Sequence, residues 1–238
     1  MNDESRLDEQ IYRLTFGSAI VLIASMLVSF ALPLDAPGGY DATQGERLTW
    51  LLDNRAAFIA GWLNQIVAMV SLTTSLAGFA WLVRTSSPLA ALLAALMLLS
   101  SFIVFIIPKF IAVWTIPLLA EEAAGGTHLS EMANTLLPLL NTSAPFSLFT
   151  AFDYLGFWLY AIFGLIVAPC LFARGSLGKI NALCFGLYGL AYHGVAAAIL
   201  LGKVPPQAVE GYALSSTLLL VIPMFLALGM FRSPGRPA

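Results

Sequence analysis

The sequence predicts an all-α fold, namely a polytopic membrane protein built as a six-helix transmembrane bundle. The chain of 238 residues is 59% hydrophobic and only 10% charged, whereas an ordinary soluble domain carries about 25% charged residues. Six segments reach about 20 apolar residues, the length that crosses a bilayer as a helix. We therefore expect one integral membrane domain over residues 1–238, with spans at 14–34, 56–83, 89–119, 146–172, 179–201 and 212–231.

The ends of the spans are placed by breaks in the apolar pattern. Pro33 and the turn residues that follow it end the first span, and 121–126 and 174–178 interrupt later ones. The third span is long, and Pro108 offers a kink within it. The N-terminal stretch is acidic rather than basic, so it does not resemble a cleavable signal peptide, and we expect the first span to be retained.

Lys and Arg residues in the short loops predict the orientation. Loops on the cytoplasmic side carry an excess of these residues. With the N-terminus inside, seven of them lie on the inner side and three on the outer side; the seven are Arg6, Arg13, Arg84, Arg174, Lys179, Arg232 and Arg236, and the three are Arg47, Arg55 and Lys203. This favours an orientation with both the N-terminus and the C-terminus inside.

Two outer segments mix aliphatic and charged residues. These are 41–54 and 127–140, the second with Ser130 as a possible helix cap. Both fit short amphipathic helices at the membrane interface. The alternative is that each is an ordered connection with an aliphatic anchor.

A small set of polar residues interrupts the spans at similar depth. With a rise of 1.5 Å per helical residue, this set lies roughly 10–15 Å below the outer boundary. The candidate ligand-binding residues are Lys109, Asp153, His193, Asn64 and Gln65 from this set, with Tyr160 and Tyr192 within reach of it. Because ionisable residues within a membrane are costly and mark functional sites by default, we expect an outward-facing pocket here. The alternative is a buried polar clasp that fixes the order of the helices.

Helical spacing places most of this set on faces rich in small residues. Spacings of three and four align the small residues of three spans into stripes, which permit close approach between membrane helices. The stripes are Gly61, Asn64, Ala68, Ser71, Ser75 and Gly78; Asp153, Gly156, Tyr160 and Gly164; and Ala182, Gly186, Gly189 and His193. Lys109 has the weakest case, because its neighbours by spacing are bulky: Phe102, Phe105, Ala112 and Ile116.

Lys109 has three possible environments. It pairs with Asp153, it reaches upward to the headgroups, or it faces an aqueous cavity without direct pairing. An unpaired charge at the bilayer centre costs about 2.5–3.5 kcal/mol on insertion scales. This cost favours the ion pair.

Several chemistries are disfavoured. The chain has two histidines and two cysteines, Cys170 and Cys184, and we expect buried thiols rather than a disulfide. We expect no metal site, no cofactor and no catalytic residues. The sequence lacks the residues for bis-histidine ligation, a carboxylate dyad, a nucleophile elbow and a phosphate loop. A net charge of −2 gives no basic footprint for nucleic acid. An enzyme is therefore the least favoured class.

Two stretches carry a resemblance to a known family. One is 52–84, with Arg55 before the span and Trp81-Leu82-Val83-Arg84 at its end, and the other is 171–194, with Arg174, Gly178, Gly186, Gly189 and Tyr192. Together they resemble an uncharacterised bacterial family of six-span membrane proteins with a domain of unknown function. The resemblance implies six helices and a bacterial inner membrane, and it implies no activity or site residues.

The functional expectation is a multi-pass membrane protein that binds or transports a small molecule through the polar cluster of the outer half. The alternative is a structural or accessory subunit of a larger membrane complex. Expected partners are the lipid bilayer and either other membrane proteins or further copies of the chain.

Overall fold

The computed structural model describes residues 3–144, 146–205 and 209–232. Regular structure in these residues is helical throughout, with eight α-helices and one short 3-10 turn at Gly39–Asp41. The helices are α1 (Asp3–Ser29), α2 (Gln44–Asp53), α3 (Arg55–Val83), α4 (Pro88–Ala124), α5 (Ser130–Leu140), α6 (Leu148–Leu171), α7 (Gly175–Leu200) and α8 (Val209–Met230).

The predicted fold class is confirmed. Helices α1, α3, α4, α6 and α7 are each long and apolar enough to cross a membrane, and α8 contributes a shorter apolar stretch at Ser216–Met230. Two predicted boundaries are corrected. The first helix begins at Asp3 and ends at Ser29, so 30–34 lie outside it. Helix α4 continues through Pro108 and Pro117 to Ala124, so the break expected at 121 begins later.

The two predicted amphipathic segments form helices α2 and α5. Helix α2 begins with a capping box, in which Thr43 and Glu46 satisfy each other's backbone N–H groups. The Ser130 cap is wrong: Leu129 occupies the cap position of α5 and makes no side-chain bond there. The Ser130 hydroxyl instead donates to the Glu122 carbonyl oxygen at 2.7 Å, because α5 starts close to the end of α4.

Contacts between residues divide the chain into two compact units. Unit 1 comprises Met1–Ile23, Val70–Phe102 and Phe157–Ala238, and unit 2 comprises Ala24–Met69 and Ile103–Gly156. The division falls within several of the long helices, which contribute residues to both units. The prediction of a single domain stays a prediction.

Unit 1 is built on aromatic packing and on close approach at glycines. Phe79 packs edge to face on Phe185 and Phe231, with ring centroids 5.1 Å and 5.4 Å apart. A Cβ atom on Gly164 would lie 2.7 Å from the Phe185 carbonyl oxygen, and one on Gly78 would overlap the Thr15 side chain. The predicted small-residue stripes therefore do mark helix contacts.

Unit 2 has an aromatic and aliphatic core. Trp62 packs edge to face on Phe58 and Phe149, and its indole N–H donates to the Leu34 carbonyl oxygen at 3.0 Å. Gly61 allows this approach, because a Cβ atom there would overlap the Pro33 carbonyl oxygen. The core residues are Leu51, Phe58, Trp62, Ala112, Ile116, Ala120, Leu137 and Phe149.

Candidate functional site

An ion pair in unit 2 is the most unusual polar feature of the long helices. Lys109 Nζ on α4 donates to Asp153 Oδ1 on α6 at 2.8 Å. The predicted pairing is confirmed. The headgroup-reaching alternative is wrong, because Lys109 as a whole residue is only 2% exposed.

Three aromatic rings surround the Lys109 ammonium. Nζ lies 4.7 Å from the ring centroid of Phe105, 5.7 Å from that of Phe149 and 6.0 Å from that of Trp62. Ring faces attract a cation by about 0.5–1 kcal/mol when exposed and by about 2 kcal/mol or more when desolvated. The rings therefore offset part of the cost of removing the ammonium from water.

Helical spacing explains how the pair forms. Phe105 precedes Lys109 by one turn on α4, and Gly156 follows Asp153 by about one turn on α6. A Cβ atom on Gly156 would lie only 2.7 Å from the Phe105 ring, so this glycine lets the two helices approach. Phe105, one of the bulky neighbours that weakened the case for Lys109 in the sequence, is one of the rings that enclose its ammonium.

The two partners differ in exposure. The Lys109 side chain is 3% exposed, whereas the Asp153 side chain is 27% exposed. The carboxylate is therefore the more accessible member of the pair.

Asn64 and Gln65 bond to α1. The Asn64 side-chain amide donates to the Ser25 carbonyl oxygen and to Ser29 Oγ, both at 2.9 Å. Gln65 donates to Ser29 Oγ at 3.1 Å. These bonds tie α3 to α1 within unit 2, as the clasp alternative requires.

Tyr160, Tyr192 and His193 belong to unit 1. The Tyr160 hydroxyl lies 2.5 Å from Thr73 Oγ1, and Tyr192 packs against Tyr188 with ring centroids 5.9 Å apart. A ligand role for these three residues, and for Asn64 and Gln65, stays a prediction.

The hydrogen bonds of His193 define its tautomer. Its Nδ1 lies 2.7 Å from the Gly189 carbonyl oxygen, which only accepts, so Nδ1 carries the proton. Its Nε2 then accepts from the Trp158 indole N–H at 2.9 Å. This arrangement uses both nitrogens of a neutral ring.

A second buried ion pair in unit 2 was not predicted from the sequence. Arg47 Nε lies 3.4 Å from Asp35 Oδ1, with side chains 10% and 11% exposed. Both residues fall between predicted spans, and Arg47 entered only the charge count. No helical spacing relates them, so the sequence carried no signal for this contact.

The sequence matches no protein-family model, no curated protein and no solved structure. What the site does must therefore follow from its own geometry. Among the described residues, no group of three His, Cys, Asp or Glu side chains is placed to hold a metal ion.

Proposed function

We propose that this multi-pass membrane protein binds a small cation, such as a protonated amine, at the Lys109–Asp153 pair, in a transport-like role. The observation that carries the proposal is the difference in exposure between the two partners. The accessible charge of the pair is negative, and the balancing positive charge lies behind aromatic rings.

The chemistry follows from the unused capacity of the carboxylate. An ionised carboxylate accepts about four hydrogen bonds, and Lys109 supplies one to Oδ1. An incoming ammonium is attracted to Asp153 but repelled by Lys109. Its binding therefore weakens the contact between α4 and α6, which couples occupancy to helix packing as a transport cycle needs.

Calorimetric titration of the purified full chain with ethylammonium and with acetate tests the proposal. Ethylammonium binds and acetate does not. Asp153→Asn abolishes the binding, whereas Asp53→Asn, at an exposed carboxylate of α2, leaves it unchanged. Preference for acetate, an unaltered affinity in Asp153→Asn, or no ethylammonium binding by the wild type contradicts the proposal.

The alternative role, an accessory subunit in a complex or a homo-oligomer, is supported by one face of α4. Large apolar side chains are exposed along it: Leu89, Leu92, Leu96, Leu99, Ile103, Ile107, Phe110, Trp114 and Leu118. A lipid bilayer covers such a face in a solitary bundle. Native mass spectrometry in gently solubilised membranes separates the roles, because a fixed stoichiometry with a second chain supports the subunit and a bare monomer opposes it.

We further propose a bacterial inner membrane location with both termini in the cytoplasm, supported by the distribution of Lys and Arg and by the six-span family resemblance. A membrane-impermeant maleimide tests the orientation in a background without Cys170 and Cys184. Thr127→Cys is labelled in intact cells, and Ser176→Cys only after lysis. The reverse pattern contradicts the orientation.

A further inference from the structure

A cavity of about 200 Å³ in unit 2 is separate from the Lys109–Asp153 pair and from its three rings. Helix α2 with the turn before it, helix α5 with the segment after it, and one residue of α4 form its walls.

Arg47 is the one charged residue in this lining, and it is only 8% exposed. Its Nη2 donates to the Gly39 carbonyl oxygen. Its buried Nε faces Asp35 Oδ1 at 3.4 Å without an aligned hydrogen bond, and Oδ2 of Asp35 has no hydrogen-bond partner in the described part of the chain. A guanidinium presents five N–H donors, so a buried arginine with one aligned bond retains a strong capacity to hold an acceptor group.

The rest of the lining divides into two chemical kinds. Gln44, Asn141, Ser143 and Tyr40 add neutral hydrogen-bonding groups, and no carboxylate is among the lining residues. Leu48, Leu51, Ile116 and Leu137 add an aliphatic wall. One buried cation and several neutral hydrogen-bonding groups beside an apolar wall suit an amphiphile with an anionic end.

We propose that this cavity binds a small anionic amphiphile, with its carboxylate or phosphate on Arg47 and its apolar body on the aliphatic wall. A volume of about 200 Å³ has room for several small groups in a row. That capacity fits a medium-chain fatty acid or the head region of an anionic lipid. Asp35 competes with the ligand for Arg47, so it sets the affinity.

Calorimetric titration of the full chain in an uncharged detergent with octanoate tests this site. Octanoate binds, whereas octan-1-ol and octylammonium bind at least tenfold more weakly. Arg47→Gln lowers octanoate affinity at least tenfold, and Arg55→Gln, which removes a half-exposed arginine paired with Glu121 outside the cavity, leaves it unchanged. Equal binding of octanoate and octan-1-ol by the wild type overturns the proposal whatever the variants do.

A gain of affinity provides a second test, independent of any folding defect in Arg47→Gln. Asp35→Asn removes the competing carboxylate and tightens octanoate binding about tenfold. Weaker or unchanged binding in a folded Asp35→Asn protein contradicts the proposal. Asp153→Asn leaves octanoate binding intact, so failure of the amine site and failure of this site are distinguishable.

Nanodiscs separate the two sources of the anion. If an anionic lipid occupies the cavity, phosphatidylglycerol nanodiscs suppress octanoate binding and phosphatidylcholine nanodiscs do not. If the ligand is a free amphiphile, octanoate binds equally in both. Suppression by both lipids contradicts an anion-selective site.

Discussion

Units 1 and 2 both bury polar groups, but they satisfy them in different ways. The deepest described side-chain bonds of unit 1 join neutral groups, as in Thr73–Tyr160 and the bond from the Tyr188 hydroxyl to the Phe157 carbonyl oxygen. Its ion pairs, Arg84–Asp8 and Arg13–Glu9, are partly exposed. Unit 2 also has neutral bonds between helices, as at Asn64, but in addition its Lys109–Asp153 and Asp35–Arg47 pairs are largely buried.

This difference bears on whether a buried polar group holds helices together or belongs to a candidate site. Neutral hydrogen bonds fix helix contacts at a modest net gain of about 0.5–1.5 kcal/mol each. A buried ion pair is poor evidence for stability, because the cost of desolvation often exceeds the Coulombic gain. Stability alone is therefore a poor explanation for the charges that unit 2 buries.

The largest effect that the comparison predicts is at Lys109. Lys109→Met leaves the Asp153 carboxylate without its cation among the rings, and it lowers the free energy of unfolding by about 3–5 kcal/mol. Titration of the detergent-solubilised protein with SDS measures the loss. Lys179→Met, the same change at an exposed lysine of unit 1, alters the free energy by less than about 0.5 kcal/mol. Equal effects at the two lysines remove the distinction between a buried and an exposed charge.

A smaller effect is expected at Tyr160 in unit 1. Its hydroxyl bonds Thr73 and Ser101, so Tyr160→Phe leaves two polar neighbours with one bond fewer. We expect a loss of about 1–2 kcal/mol by the same SDS titration. Phe157→Leu, which changes an adjacent ring without removing a hydroxyl, serves as the control for packing. A loss of unfolding free energy as large as that of Lys109→Met contradicts the difference in energy between neutral and ionic contacts.

The sequence was sufficient for the fold because apolar length and charge are local properties. The long apolar helices and the short helices α2 and α5 were predictable from it. The early start of α1 was not, because Asp8 reaches Trp81 and Arg84, which are more than 70 residues away along the chain. Without that contact, an acidic N-terminal stretch reads as a solvated tail.

The candidate site was only partly predictable, because several of its contacts join residues that are far apart in the chain. Lys109 and Asp153 stood out because a charge within a span is costly. The rings around Lys109 and the Asp35–Arg47 pair arise from contacts between helices and turns, which spacing along one helix does not encode. His193 was identified as a polar residue in a span, but its partner Trp158 lies on another helix.

The smallest expected effect belongs to an exposed contact of unit 2. Two hydrogen bonds lower the pKa of Glu46 from its ordinary 4.5. The larger effect comes from the Thr43 hydroxyl and the smaller from the Thr43 backbone N–H. A carboxyl group whose pKa is lower in the folded protein stabilises the fold at pH values above its pKa in the unfolded chain. This stabilisation is lost as the pH falls through the pKa of the folded state. Carboxyl NMR titration therefore gives a Glu46 pKa below 4.5, and Thr43→Ala raises it.

The matched control for this titration is Thr49→Ala. Thr49 donates to the Gly45 carbonyl oxygen in the same helix and does not touch Glu46. A Glu46 pKa that is insensitive to Thr43→Ala, or equally sensitive to Thr49→Ala, contradicts the capping box.

A double-mutant cycle on Lys109 and Asp153 tests the buried ion pair most directly. The free energy of unfolding is measured for the wild type, Lys109→Met, Asp153→Asn and the double variant. We expect Lys109→Met alone to cost more than the double variant, with a coupling energy of about 2–3 kcal/mol, because removing both partners leaves no uncompensated charge. Losses that simply add show that the ammonium and the carboxylate do not interact.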